Sequence, residues 1–464
     1  DIAARLPVTP DTLLEPGSIG KSFTALLLLR MQERGLVDLQ APVSTYLPWF
    51  AVKSDYAPIT VAHLLSHTGG IIRGTDFTAE GRYEAWMLRD MAVFGPPGDA
   101  YFYSDLGYKV LGYLIEDVLG KTYGAAITEE ILAPLGMTDS VVPITNADRQ
   151  RIAVGYRRQF DDRPGHPRDP LVPETWIKTG TADGSVAASA NDMGKYARLL
   201  LNRGAGIISE ESFAEMNAPH AQVDEPGWWD TYGYGLATWR KDGRVYYGHT
   251  GGMIGYVAQL FIDPEAGIAV VAMINGSGMV RPFAQEAIDV TRAMISGTGH
   301  TFSAIPSLQT IEDAGELAGT YRSVDSELRL IPDGDGLIVE TGSQRSRLET
   351  RYGGSYYIDL PELDRFLLGV ERVDDTVVAL TLGPTWYARD GVDQPSVPDA
   401  PGDWAQFTGE YRCYNPWQKP IRIVQRRGRL FMIFAEGDES ELFPTDDATF
   451  QVDESPTAEW VTFA

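Results

Sequence analysis

The stretch EPGSIGKSFTALLLLRMQERGLVDL, Glu15 to Leu39, begins as a polar turn and continues as an apolar helix, with Ser18 and Lys21 three residues apart at the junction. Side chains at i and i+3 share one face of a helix, so an ammonium placed there can reach the hydroxyl and make it nucleophilic. A serine at a helix start also sits among unpaired backbone N–H groups, at the positive end of the helix dipole, where an oxyanion is stabilised. The plain alternative is a capping serine followed by a surface lysine. A lone S-x-x-K arises by chance on the order of once in a chain of this length, so other residues must decide.

With 464 residues, 44% of them hydrophobic, the chain is long enough for two or three domains with separate cores. Lys and Arg number 39 against 64 Asp and Glu, a formal charge of −25. That charge repels phosphate backbones and anionic lipid surfaces, which argues against nucleic acid as a partner. One cysteine, Cys413, excludes an internal disulfide and leaves the compartment open. The longest apolar run, ALLLL, is too short to span a bilayer. No signal peptide is visible at Asp1, and the sequence reads as trimmed or processed there. A soluble protein is expected, periplasmic or secreted slightly favoured over cytoplasmic, with oligomeric state open.

Up to about residue 230 the pattern is mainly helical. GYKVLGYLIEDVLG, with apolar residues at helical spacing, stops at Gly120, and ITVAHLLSHTGG reads as a short helix ending at Gly69-Gly70. RVYYGHTGGMIGYVAQLFIDPEAGIAVVAMINGS is β-branched, aromatic and broken by turn residues, the signature of consecutive antiparallel strands, and FAQEAIDVTRAMIS returns to helix. Past a linker at GTGHTFSAIPSLQ the chain consists of short alternating strands with Gly or Asp turns. It repeats itself: LAGTYRS at Leu317–Ser323 is echoed by FTGEYRC at Phe407–Cys413. The expected organisation is a first domain over 1–298, a β unit over 312–394, and a second, shorter β unit over 402–464 that ends within a strand. The Pro-rich QPSVPDAPGD separates the two β units.

Several phrases in order, among them EPGSIGKSFTALLLL, ITVAHLLSHTGGI, FYSDLGYKVLGYLIEDVLG, LAPLGMTDS, SVAASANDMGKYARLLL and YGHTGGMIGYVAQLFIDPEAGIAVVAMIN, resemble the serine β-lactamase and penicillin-binding-protein family. The resemblance runs from about residue 8 to 295 and is strongest to the class C, esterase and D-peptidase branch. It implies an α+β fold: a catalytic domain with an antiparallel sheet flanked by helices and a mostly helical subdomain, followed by lipocalin-like antiparallel barrel units. It also implies three catalytic elements, at Ser18-Ile19-Gly20-Lys21, Tyr103-Ser104-Asp105 and His249-Thr250-Gly251. Ser18 is then the nucleophile and Lys21 its partner, while Tyr103 exchanges protons with Ser18 and the leaving group. The backbone N–H groups of Ser18 and Gly252 form the oxyanion hole, and Asp105, His249, Thr250, Gly251 and Gly252 bind substrate. Relatives of this kind carry two core strands before the first motif, which the residues before VTPDT cannot supply.

Other motifs compete with this reading. Lys178-Thr179-Gly180 is a literal K-T-G, the form the third element takes in many relatives, but it precedes the SVAASANDMGKYARLLL helix and is assigned to a surface loop. His63 and His67, at i and i+4, invite a zinc reading. Leu64 stands where a metalloprotease has glutamate, so no metal site is assigned. His166, His220 and His300 are read as solvated loop residues. A G-x-S-x-G nucleophile elbow is absent, against an α/β-hydrolase.

Two departures from the family bear on substrate. His249 replaces a lysine that binds substrate carboxylates, and neutral imidazole is a weak anion anchor. Asp105 replaces an asparagine that donates to the substrate carbonyl, and an ionised aspartate only accepts, which suits a substrate ammonium. The resulting expectation is a serine hydrolase, without metal or organic cofactor, acting through an acyl-enzyme on small molecules or short peptides and amides, a D-stereospecific aminopeptidase or peptidase foremost. Alternatives are a carboxylesterase or weak β-lactamase and, from another class, an inert penicillin-type binding or sensing protein.

Overall fold

The computed structural model describes residues 1–74, 81–223, 229–302, 307–394, 396, 404–413, 415, 417, 419–453 and 459–463. The Pro-rich stretch between the expected β units lies mostly outside them. The chain forms two compact units, Asp1–Arg157 with Val172–Ser303, and Arg158–Leu171 with Ala304–Ala464.

In the first unit the helix Gly20–Glu33 forms the centre of the core. Its run Ala25–Leu29 is apolar on every side, and all five residues are fully buried. Each buried leucine contributes roughly 2 kcal/mol of transfer free energy. The helix stops before Gly35, whose φ of +69° suits a residue without Cβ. The helix Asp105–Leu119 is bounded as its sequence implies, with the Ser104 hydroxyl accepting from Gly107 N–H at 3.0 Å and Gly120 left-handed at φ +65°. Ser189 caps Ala190–Leu201, and Tyr196 of that helix stacks on Phe23 at 3.7 Å between ring centroids.

Strands β1 (Tyr156–Arg158) and β2 (Leu171–Pro173) form a small pair. The main sheet runs in chain order through β3 (Ala221–Gln222), β4 (Thr231–Tyr232), β5 (Ala237–Lys241), β6 (Arg244–Met253), β7 (Tyr256–Asp263) and β8 (Ile268–Ile274), antiparallel throughout. Alternation along β7 sends Ala258, Leu260 and Ile262 into the core around Gly20–Glu33. Phe261 points to the opposite face, where Ala284 and Ile288 of the helix Arg281–Ser296 pack. The consecutive strands read from the sequence are thus present. Among the described residues the outer edge of β8 pairs with no further strand.

The second unit begins its β structure with β9 (Gly319–Arg322), followed by β10 (Glu327–Asp333), β11 (Gly336–Thr341), β12 (Gln344–Thr350), β13 (Tyr356–Ile358), β14 (Leu368–Val373), β15 (Thr376–Leu382) and β16 (Thr385–Arg389). These close into an eight-stranded antiparallel barrel when β16 pairs with β9. A six-stranded antiparallel sheet follows: β17 (Gly409–Tyr411), β18 (Ile421–Arg426), β19 (Arg429–Phe434), β20 (Glu439–Pro444), β21 (Thr449–Val452) and β22 (Glu459–Thr462). The sequence repeat has a structural counterpart. Tyr321 OH donates to Leu317 O at 2.7 Å, and Tyr411 OH donates to Phe407 O at 2.8 Å, so each copy ties its first strand to the short helix before it.

The segment Arg158–Leu171, interior to the first block in sequence, belongs to the second unit. Arg163 Nη1 donates to both oxygens of Asp364 at 3.0 and 3.1 Å, and Arg168 pairs with Asp359. His166 is a correction to the sequence reading. It is buried, stacked on Tyr357, with its Nε2 3.2 Å from Glu349 Oε2, because neighbouring strands supply the partners that a loop sequence does not reveal. No described helix is long and apolar enough to cross a membrane.

Candidate active site

Ser18 lies in a 3₁₀ turn, Gly17–Ile19, that runs directly into Gly20–Glu33. Packing against β6 holds this turn in place. Gly17 has φ +55°, and a Cβ there would fall 2.4 Å from Gly252 O, while a Cβ on Gly251 would fall 1.8 Å from Pro16 O. Only glycines allow strand and turn to approach this closely. Gly252 itself is exposed, with open space where its Cβ would be, so the strand presents bare backbone beside Ser18.

Lys21 is fully buried and its Nζ meets three acceptors: Ser18 Oγ at 3.0 Å, Asp183 O at 2.8 Å and Asp105 Oδ1 in a short ion pair. An ammonium has three protons, and three acceptors account for them, so Lys21 is charged. Burial alone would pull its pKa down, but the negative charge of Asp105, joined by Tyr103 and Asp183, outweighs that and holds it above the ordinary lysine value. For Asp105 burial pushes the other way, and the Lys21 charge keeps its carboxyl below the usual range, aided by Arg73 and Lys109. Asp105 opens the helix Asp105–Leu119, where the helix dipole also favours its negative charge.

Tyr103 occupies the residue before the Ser104 cap and interacts with both Lys21 and Ser18. Burial raises its phenol pKa above the ordinary value, and the Lys21 charge, whose nitrogen stands 4.9 Å from the ring centroid, works against that rise. Its backbone is held on both sides by one residue. His67 O accepts from Phe102 N–H at 2.6 Å, and His67 Nδ1 accepts from Ser104 N–H at 3.0 Å. His63 serves its own helix start instead, where its Nδ1 accepts from Thr60 N–H at 3.2 Å.

His249 is fully buried on β6. Its Nδ1 faces Thr250 O, which can only accept, so Nδ1 carries the proton and Nε2 accepts from Tyr232 OH at 2.9 Å. Burial drops its pKa to about 3, and the imidazole is neutral. Register pairs His249 with Leu260, Thr250 with Gln259, Gly251 with Ala258 and Gly252 with Val257 on β7. On the other side β5 reaches only to Gly248, so β6 continues beyond its neighbour from His249 onward. Lys178 lies exposed in a loop, as its sequence context implies.

The structure therefore gathers Ser18, Lys21, Tyr103 and Asp105 into one connected cluster, with the exposed backbone of Gly252 beside Ser18. Three contributors escape sequence reading. Asp183 supplies a carbonyl, Tyr232 orients His249, and Arg73 approaches Asp105 with Nε 3.5 Å from Oδ2. No motif marks them, since each arrives by tertiary folding. Glu15, between Leu14 and Pro16 in the opening stretch, is buried, and that burial pushes its pKa up to about 8.

A helix-borne serine and lysine facing the glycine-rich strand of an antiparallel sheet define a hydrolase of the β-lactamase and penicillin-binding-protein type. The chain belongs to the β-lactamase family, which it matches over residues 1–293. Penicillin-binding protein 4 of Amycolatopsis lactamdurans is 28% identical over 333 residues, 68% of this chain and 85% of that protein. Other curated relatives match over only 54–55% of their own length. Among solved structures, the octameric penicillin-binding protein homologue from Pyrococcus abyssi is 26% identical with a TM-score of 0.58, covering 84% of this chain and 91% of its own. The D-amino acid amidase from Ochrobactrum anthropi SV3, complexed with D-phenylalanine, is 25% identical with a TM-score of 0.54, covering 64% and 88%.

Proposed function

We propose that this protein is a serine hydrolase that cleaves short peptides or amides through an acyl-enzyme, with D-residues as the favoured stereochemistry. The observation that carries this reading is the contact of 3.0 Å between the Lys21 ammonium and Ser18 Oγ, at the start of a helix and beside the open backbone of Gly252. In this reading Ser18 Oγ attacks the carbonyl carbon and passes its proton to the Tyr103 phenolate, the form that the Lys21 charge favours. The N–H groups of Ser18 and Gly252 hold the oxyanion, and the C–N bond breaks as Tyr103 returns the proton to the leaving amine. Water then repeats the sequence on the acyl-enzyme. Lys21 serves as a fixed cation rather than as a base, since its protons are already committed, and Asp105 keeps it charged. The edge of β6 past Gly248 would pair with an extended substrate, and buried His249 would support that edge from behind.

Similarity to a D-amino acid amidase supports amides and D-residues. A carboxylesterase remains the second reading, favoured by the neutral His249, which offers no cation to a substrate carboxylate. A panel of D- and L-amino acid p-nitroanilides, p-nitrophenyl esters and nitrocefin, run on the parent and on Ser18→Ala, tests both. Turnover of D-anilides that disappears in Ser18→Ala is expected. Turnover of esters alone would move the assignment to the second reading, and no turnover of any member would favour an inert binding protein.

A further inference from the structure

His67 is a buried titratable residue to which the proposed reaction gives no part, and its conformation is costly twice over. It stands two residues after the helix Val61–Leu65, where the chain turns left-handed, with φ +59°. Thr68 N–H donates to His63 O at 2.8 Å to close that turn. Glycine is the ordinary residue at such a helix end, since a Cβ is strained there. The ring is costly as well. Nδ1 accepts from Ser104 N–H at 3.0 Å, so the neutral imidazole carries its proton on Nε2. Nε2 is buried and meets no acceptor among the described residues. The rings of Tyr103, Tyr232 and Tyr108 stand around it, at 4.3, 4.8 and 5.1 Å between centroids. A buried donor left unpaired opposes folding, and a glycine would avoid both costs. What the side chain gives in return is the Nδ1 contact.

That contact and a second one fall on the two neighbours of Tyr103. His67 O accepts from Phe102 N–H at 2.6 Å, while Nδ1 holds Ser104. A segment gripped at both neighbours keeps Tyr103 from turning away from Ser18 and Lys21, with which its phenol interacts. Burial, helped by the charge of Lys21, holds the His67 pKa well below the ordinary histidine value, so Nδ1 remains an acceptor. We propose that His67 is a positioning residue for proton transfer, whose Nδ1 and main-chain oxygen clamp the neighbours of Tyr103 and so aim its phenol at Ser18 and at the leaving group. The inference rests on the hydrolase reading and adds to it a residue that touches no reacting atom.

The test compares His67→Asn and His67→Gly in the full-length protein. Both residues tolerate a left-handed backbone, and both keep the carbonyl that holds Phe102. Only asparagine has an acceptor, Oδ1, as many bonds from Cα as Nδ1 is. The substrates are the p-nitrophenyl and ethyl esters of the acyl group that the substrate panel favours. A p-nitrophenolate leaves unaided, whereas ethoxide must be protonated as it departs, so the ratio of the two kcat/KM values reads how well Tyr103 delivers its proton. His67→Gly should lower the ethyl-to-nitrophenyl ratio by roughly tenfold, part of what a well-placed general acid supplies. His67→Asn should stay near the parent ratio. A residue that served the fold alone would slow both esters alike. An unchanged ratio in His67→Gly, with fluorophosphonate still labelling Ser18, would overturn the positioning role and leave the hydrolase reading standing. An equal fall in both variants would also overturn it, because Nδ1 would not be the group that matters. Should His67→Gly not fold, nitrogen-15 NMR of the parent decides, with the His67 ring assigned by the signals lost in His67→Asn. A bare Nδ1 and a protonated Nε2 support the clamp, and a protonated Nδ1 refutes it. If neither ester is cleaved and Ser18 is not labelled, the hydrolase reading fails and the positioning role falls with it.

Discussion

At the scale of single residues the site is governed by one buried charge. Lys21 is held as an ammonium by Ser18, Asp105 and Asp183, and both it and Tyr103 have pKa values raised above their ordinary ones. The proton that must leave before Ser18 attacks is therefore lost only at alkaline pH. For a neutral ester, kcat/KM should climb through pH 8 and beyond. No limb should appear near 6.5, because burial keeps His249 and His67 neutral throughout. Lys21→Ala should reduce kcat/KM by roughly a hundred- to a thousandfold, the scale of losing one fixed electrostatic stabiliser. Glu15 gives a prediction about stability. Its folded pKa of about 8 exceeds the ordinary 4.5, so between these values the folded state retains a proton that the unfolded state has lost. Its contribution is fully present below pH 4.5 and is lost as pH rises through 8. Glu15→Gln should remove that decline, making the protein more stable than the parent at pH 8 by about 2–5 kcal/mol, with the two converging near pH 4.5 in denaturant titrations.

At the scale of elements, the arrangement depends on how closely β6 approaches the Ser18 turn. A methyl at Gly251 would meet Pro16 O at 1.8 Å, and both partners are backbone, so turn or strand must move. Gly251→Ala should cost roughly 1–3 kcal/mol of strain and lower kcat/KM for every substrate while leaving far-UV circular dichroism unchanged. Gly252→Ala meets no atom within 4 Å. It should fold normally and discriminate by substrate size, losing bulky substrates first. Elements of this kind were legible in the sequence because their signals are local. Gly120 ends a helix by its own chemistry, and the β-branched and aromatic residues broken by turns mark β6 to β8 as consecutive strands. Order along the chain assigned His249 to a strand and Lys178 to a surface loop, and both lie where that order put them. The Asp183 carbonyl and the Tyr232 hydroxyl were not legible, since neither belongs to a pattern near the residue it serves. Asp105 was recognised as unusual, yet its closest partner proved to be Lys21 within the protein.

At the scale of the whole molecule, the repeat LAGTYRS and FTGEYRC pointed to duplicated β units, and each copy does carry the same tyrosine-to-carbonyl bond. Closure of the first β unit into a barrel was expected from the resemblance to lipocalin-like barrels and is present, whereas alternation within a strand says nothing about whether β16 meets β9. The membership of Arg158–Leu171 in the second unit was not legible, since it depends on partners about 200 residues away along the chain, such as Asp364 and Asp359. A chain ending at Ser296 would strip Arg163, His166 and Arg168 of these partners. In that truncation the segment should be cut rapidly by trypsin at its arginines, whereas in the full chain it should resist. Equal cleavage in both forms would mean that the ion pairs do not hold the segment.

The claim on which the account rests is that Ser18 is the residue acylated, and covalent labelling tests it most directly. The full-length protein is treated with an activated fluorophosphonate, digested and mapped by mass spectrometry. The account predicts one adduct per chain, on the peptide containing Ser18, with activity lost in proportion and no labelling in Ser18→Ala. An adduct on any other residue, or an active preparation that acquires none, would contradict it.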